Sequence, residues 1–260
     1  MAVTPQYVPT RFKRSVFAPG FLERLKKSRT VVGGPFKGMR YHGKAVCGAA
    51  APKIMGVYEC ELAPFFLKWS AIPFQHIINV GAGEGHYAVG CAILWPQAMV
   101  MAFESSEEGR NLLIRNVELN RLQSRVKIMG HCGQEELRTA IGNSQTSLVI
   151  VDVEGAEGQL LNPATVPGLA NAHVIVEIHD FIDQEIGEIL LSRLKSSHVV
   201  EEVRTRARTF WDFHEPRALS RRLWLLPYLK QYADELRPGP MRWFCCMPIT
   251  VGQAPSVRNE

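Results

Sequence analysis

Three glycines at alternate positions, Gly81, Gly83 and Gly85, stand directly after an apolar run at 77–80. A lone acid, Glu104, ends the next apolar run at 98–103. Glycine lets a chain turn sharply and lets backbone come close to a ligand, because no Cβ stands in the way. A carboxylate at the tip of a neighbouring strand can accept hydrogen bonds from both hydroxyls of a ribose. A second constellation is acidic: Asp152, Glu154 and Glu157 follow an apolar run at 148–151. Carboxylates so placed can grip a sulfonium group, orient an acceptor or hold a cation. Equally, Asp152 or Glu154 can simply cap a short helix. A third is the pair His179-Asp180, which closes a nearly all-apolar run that nonetheless carries Glu177. A histidine there suits a general base, and suits an ordinary hydrogen-bonded loop position just as well.

These side chains need a scaffold that brings distant segments together. Periodicity predicts strands at 77–80, 98–103, 126–129, 147–151 and 173–178. Helices are predicted between them at 86–95, 107–121 and 135–141, and after them at 182–196. Upstream, a basic helix is predicted at 21–28 and an amphipathic one at 55–69, with Pro64 starting or kinking it. Beyond residue 198 come a strand within 199–208, an irregular aromatic and basic stretch, a helix at 226–236 and a last strand at 242–249. Such alternation implies an α/β fold: a doubly wound, mostly parallel sheet with helices on both faces. A closing strand that follows a long insertion is expected as an antiparallel edge. Ligands of such sheets lie beyond the carboxyl ends of the strands, where all three constellations fall.

The 260 residues are 46% hydrophobic, ample for a folded core, with a net charge of +5. Six cysteines show no Cys-x-x-Cys spacing, and Cys245 and Cys246 would point to opposite faces of one strand. A reduced, cytoplasmic protein without a signal peptide is expected. The longest apolar run, 87–103, is broken by Pro96 and Gln97 and is too short to span a bilayer. Residues 1–70 hold twelve lysines and arginines against three acids. With Arg204, Arg206, Arg208, Arg217, Arg221 and Arg222 they raise nucleic acid as a partner. No Asn/Asp-Pro-Pro-aromatic motif follows the fourth strand and no RNA-binding module is visible, so that reading is disfavoured.

Dinucleotide enzymes place a third glycine five residues after the first, and here His86 occupies that position. The Gly-x-Gly-x-Gly spacing favours S-adenosylmethionine over NAD. The strings Asn79-Val-Gly-Ala-Gly-Glu-Gly85, Phe103-Glu104, Asn116-Val-Glu-Leu-Asn120, Asp152-Val-Glu-Gly-Ala-Glu157 and Val176-Glu-Ile-His179 occur together and in order. They resemble the FkbM-type class I methyltransferases, which use S-adenosylmethionine and often methylate hydroxyl oxygens of sugars or polyketides. The resemblance covers roughly residues 55–200, and the Asp-x-Glu-Gly-x-Glu string is its most specific part.

The resemblance implies a Rossmann-like class I methyltransferase fold in a domain at 55–251, after a basic extension at 1–54 and before a flexible tail at 252–260. It implies Gly81, Gly83 and Gly85 along the methionine and ribose, with Ala82 and Ser105 also against the cofactor. Glu104 would hold the ribose diol, Cys132 and Gly133 would border adenine, and Asp152 would sit beside the methyl-transfer centre. Cys132 is expected as a pocket wall rather than a nucleophile, since no base adjoins it. There are departures: Asn79 stands where the family frequently has an acid. No acid lies within 130–133, which leaves the adenine amino group to backbone or Gln134. The expected reaction is O-methylation of a sugar, glycan or other small natural product, with His179 as general base and Asp152 as orienter or alternate base. No metal ligands are assigned and the oligomeric state is open. The rival readings are a nucleic-acid methyltransferase and a non-catalytic cofactor-binding protein. The segment at 200–240, with Trp211, His214 and Trp224, lies outside the resemblance and is expected to face the acceptor.

Overall fold

The computed structural model describes residues 29–142, 146–182, 184–213, 233–237 and 239–249. The helix expected at 21–28, most of that at 226–236, His214, Trp224, Arg217, Arg221, Arg222 and the tail lie outside the described residues. Among the described residues, seven strands form one sheet: β1 (His76–Val80), β2 (Met99–Phe103), β3 (Val126–Met129), β4 (Ser147–Val151), β5 (His173–Ile178), β6 (His198–Arg204) and β7 (Arg242–Pro248). Their order is β3-β2-β1-β4-β5-β7-β6. The first five strands are parallel, and β7 runs antiparallel to both β5 and β6. This is the doubly wound, Rossmann-like sheet that the sequence implies, with one correction. The antiparallel closing strand is not an edge, because β6 pairs along its outer side. The side chains agree: Trp243, Phe244, Cys245 and Cys246 are buried on β7, while β6 is largely polar and half exposed, as an edge strand must be.

Seven helices accompany the sheet among the described residues: α1 (Ala50–Met55), α2 (Ala63–Trp69), α3 (His86–Leu94), α4 (Glu107–Leu119), α5 (Gln134–Ile141), α6 (Glu157–Leu160) and α7 (Ile186–Leu194). Alternate strand residues face two cores. Ile77, Val100, Leu148, Ile175, Trp243 and Cys245 pack with α3 and with the segment at 31–69. Ile78, Val149, Val174, Phe244 and Cys246 pack with α5, α6 and α7. The period-two alternation of the strands is thus spent on two buried faces, and the Cys245–Cys246 pair splits between them.

The helix expected at 55–69 is helical only from Ala63 onward; α1 ends at Met55, where it was expected to begin. Gly56 ends α1 in the left-handed region at φ 73°. A Cβ there would stand 2.2 Å from the Gly33 carbonyl oxygen, so only glycine lets the 33–34 turn close against it. Pro64 then lies in the first turn of α2, where its missing N–H is harmless. Helix α6 is the short helix that the capping alternative called for, but Ala156, not Asp152 or Glu154, stands at its N-cap; the 3-10 turn Pro167–Asn171 was not expected, being too short to display a period.

Residues 41–53 are strapped to the glycine turn by one buried carboxylate. Glu84, 1% exposed, accepts from the Lys53 ammonium, the Tyr41 hydroxyl and the Val46 amide at 3.0 Å. Burial opposes its charge, yet Lys53 and these hydrogen bonds hold its pKa below the usual carboxylate value. Asn116 of α4 completes the knot, its side chain joining the Glu84 carbonyl at 2.8 Å and the His42 amide at 2.7 Å. Lys53→Met would strand this carboxylate. Urea unfolding should show a loss of about 3–5 kcal/mol, the range for breaking a buried pair from one side. A loss below about 1 kcal/mol, as exposed pairs give, would contradict the strap.

Candidate functional site

The strand order reverses at β1, which pairs with β2 on one side and β4 on the other. A crevice opens there beyond the carboxyl ends of the strands. Gly81 leaves β1 at φ 77°, and a Cβ on it would lie 1.6 Å from the Asp152 carbonyl oxygen. The exits of β1 and β4 can approach so closely only because that atom is missing. The amides of Gly81 and Ala82 donate to the Phe103 carbonyl at 3.0 and 2.9 Å, which ties the turn to the tip of β2.

Glu104 stands at that tip. One carboxylate oxygen accepts the Gly83 amide and the other the Ser106 amide, each at 2.7 Å. Gly109, in the first turn of α4, makes room for it: a Cβ there would press within 2.8 Å of Glu104 Cγ. Each carboxylate oxygen has two acceptor positions, so Glu104 keeps capacity toward the cavity it lines.

That cavity holds about 340 Å³. Gly81, Glu104, Ser105, Cys132 and Asp152 all stand on its wall. Other expected residues sit behind it. Gly83 reaches Glu104 through its amide. Gly85 caps α3 and abuts Leu113, and Gly133 caps α5, its amide donating to Glu136 at 2.9 Å. Ala82 is buried and contributes its backbone to β2. The Gln134 side-chain amide is taken by the Gln159 carbonyl, and Asn79 is buried with its oxygen unpaired among the described residues. Burial pushes the Cys132 thiol up to about 12, so it is a protonated wall at neutral pH. His86 lies among the rings of Phe36, Tyr58 and Tyr87, and burial drives its pKa down to about 3. A roomier open groove of about 880 Å³ lies at the opposite end of the sheet, beside Phe74, Trp95 and Thr146, and no titratable side chain among the described residues lines it.

An acid–base cluster adjoins the cavity at Asp152. His179 follows β5 and is 2% exposed. Its Nδ1 lies 2.5 Å from Glu157, and its Nε2 lies 3.5 Å from both Asp152 and Glu154. Burial disfavours the imidazolium, but the Glu157 hydrogen bond and the charges of Glu157, Asp152 and Glu154 outweigh it and raise the pKa above 6.5. Burial, reinforced by Glu59, pushes Asp152 up to about 7. Glu177, the odd acid of β5, is pushed up to about 10 by burial and by Asp152 and Glu59. Arg237 answers it. The guanidinium contacts Glu59 and Glu177, bonds Glu235 at 2.7 Å and lies 5.2 Å from the Trp243 ring.

Sequence reasoning missed Cys47, which reaches the cavity wall from the loop before α1, and the ion-pairing roles of Glu84, Glu59 and Arg237. Nothing local marks Cys47. Of the six arginines at 204–222 that raised nucleic acid, the three described ones are engaged by acids. Arg204 meets Glu202 at 2.5 Å, Arg206 meets Asp212 at 2.5 Å, and Arg208 meets Glu61 at 2.6 Å. Trp211 is 80% exposed. No helix among the described residues is long and apolar enough to cross a membrane.

No protein-family model matches the chain, and no curated protein matches its sequence. Solved structures similar in fold include precorrin-6y C5,15-methyltransferase of Geobacter metallireducens GS-15, at 10% identity and a TM-score of 0.46, over 72% of this chain and 87% of that one. TYW2 of P. horikoshii, in complex with MeSAdo, matches at 14% and 0.38, over 72% and 61%. The B. subtilis tRNA methyltransferase TrmK matches at 14% and 0.43, over 70% and 64%. This chain spans less than two thirds of the latter two, and at these identities the likeness is one of fold.

The His179 environment has a measurable signature. Its folded pKa lies above the unfolded value of 6.5, so its contribution to stability is complete below about pH 6.5 and fades as pH rises through the folded pKa. An NMR titration of its ring protons in chelator-containing buffer should give a midpoint above 6.5, and Glu157→Gln should lower that midpoint. A wild-type midpoint at or below 6.5 would show that burial, not the acids, governs the ring.

Proposed function

We propose that this protein is a class I methyltransferase of FkbM type. It uses S-adenosylmethionine to methylate a hydroxyl oxygen on a sugar, glycan or other small natural product. The observation that carries the reading is the meeting of Glu104 with the glycine turn at the rim of the cavity. The residues present fit the cofactor. Glu104 retains acceptor positions for a ribose diol, Cys132 offers a small neutral wall for adenine, and Asp152 lines the same cavity and would face the methyl end. When bound, S-adenosylmethionine supplies an electrophilic methyl group on a good leaving group. What remains for the chain is to align the acceptor and remove its proton.

His179 takes that proton on Nε2, while Glu157 fixes the ring through Nδ1. Asp152 orients the hydroxyl or serves as an alternate base. Because the His179 pKa is raised, its base form grows as pH climbs above 6.5, and the rate should climb with it. Phe181, 58% exposed and edge-on to His179 at 5.5 Å, offers the acceptor an aromatic face.

The test is isotope-labelled methyl transfer from S-adenosylmethionine into a fractionated lysate, with calorimetry of the cofactor alongside. A labelled methyl ether is expected. Glu104→Ala should weaken cofactor affinity at least about tenfold, the share of a charge-assisted hydrogen-bond pair. His179→Ala should keep that affinity and slow transfer by about a hundredfold or more. Equal affinity in Glu104→Ala, or unchanged turnover in His179→Ala, would remove the respective role.

A further inference from the structure

We propose that Asp152, Glu154 and His179 form a binding site for one divalent first-row cation at the mouth of the crevice. The three candidate ligand atoms, Asp152 Oδ1, Glu154 Oε2 and His179 Nε2, lie within 4.8 Å of one another. The two nitrogen–oxygen separations are each 3.5 Å, too long for the 2.7–3.2 Å of a normal hydrogen bond. They suit the edge of a coordination polyhedron, since two ligands about 2.1 Å from one ion at a tetrahedral angle stand about 3.4 Å apart.

Two further observations point to a ligand. His179 is 2% exposed, and its Nε2 makes no hydrogen bond among the described residues while aiming between the two carboxylates. The other ring nitrogen is held at 2.5 Å by Glu157, which is 0% exposed. A carboxylate fixing the far nitrogen of a histidine is the outer-layer arrangement that metal-ligating histidines commonly have. Asp152 Oδ1 is itself buried without a hydrogen-bond partner. Three acids surround one imidazole, so the pocket is rich in negative charge for a cation to balance. Glu154 is 72% and Asp152 27% exposed in their side chains, which leaves the outer side open to water or to an acceptor oxygen. One imidazole and two carboxylates suit Mn²⁺, Fe²⁺ or Zn²⁺ better than Ca²⁺.

The inference deepens the methyl-transfer reading and rests on it for its consequence. A cation here would hold the acceptor hydroxyl and ease loss of its proton to water, as metal-bound water is acidified. With the ion in place, His179 Nε2 is a ligand and the proton-accepting role leaves it. The two accounts of deprotonation therefore part at one atom.

The experiment strips the full-length protein with a chelator and titrates it with MnCl₂, following the free Mn²⁺ signal by electron paramagnetic resonance. Calorimetry with ZnCl₂ and, separately, with S-adenosylmethionine accompanies it. Saturable binding of one ion per chain is expected, weakened at least tenfold in Glu154→Gln and in Asp152→Asn, with circular dichroism confirming that both variants fold. Glu154, being exposed, can be changed with little risk to the core. Failure of both ions to bind saturably, or binding that both substitutions leave unchanged, overturns the site. Cofactor binding without ion binding removes the cation and leaves the methyl-transfer reading standing. Ion binding without cofactor binding upholds the site and removes that reading.

Discussion

The carboxyl ends of β1, β2 and β4 are drawn together by contacts that tolerate almost no extra volume. Gly81 passes the Asp152 carbonyl with no room for a Cβ, and Gly109 clears the space into which Glu104 folds. The Glu104 carboxylate then joins two amides from different segments, Gly83 of the glycine turn and Ser106 at the start of α4. A charged acceptor taking backbone donors forms a strong, directional link. It fixes the turn, the tip of β2 and the entry of α4 relative to one another before any ligand arrives. The cavity is a consequence of that link, and so is the placing of Asp152 on its wall.

Behind the cavity the chain buries an unusual amount of charge. Glu84 with Lys53 secures the loop that delivers Cys47, and Arg237 gathers Glu59, Glu177 and Glu235 behind Asp152. Buried ion pairs seldom raise stability over apolar packing of the same volume, so their presence points to positioning and electrostatics. The effect reaches the cavity directly. Glu59 is the leading charge that raises Asp152, and Asp152 in turn raises Glu177. A carboxyl group held near neutrality and a histidine held above its ordinary value sit 3.5 Å apart, where modest changes in pH redistribute a proton.

Much of the fold was legible because it is written in local period. The strands β4 and β5 begin and end where their apolar runs do, since strands buried on both faces read as nearly unbroken apolar stretches. The meeting of Gly83 and Glu104 could also be read, because a strand–turn–helix–strand unit brings the first turn and the second strand tip together by topology. Other features depend on partners far along the chain. The break at Gly56 answers a turn twenty-odd residues earlier, and Lys53 and Glu84 are 31 positions apart. The inward place of β7 depends on β6 pairing outside it, which no single strand announces. Glu177 looked anomalous in its strand; its meaning lay 60 residues away at Arg237.

The central claim is that the β1–β4 crevice is shaped for an adenosyl sulfonium clasped at its sugar by Glu104. A crystal structure of the full-length protein with S-adenosylhomocysteine tests it most directly. The account predicts both ribose hydroxyls within hydrogen-bonding distance of the Glu104 carboxylate, adenine beside Cys132 and the sulfur turned toward Asp152. A ligand seated instead in the groove beside Phe74 and Trp95, or one in the crevice whose ribose points away from Glu104, would contradict it.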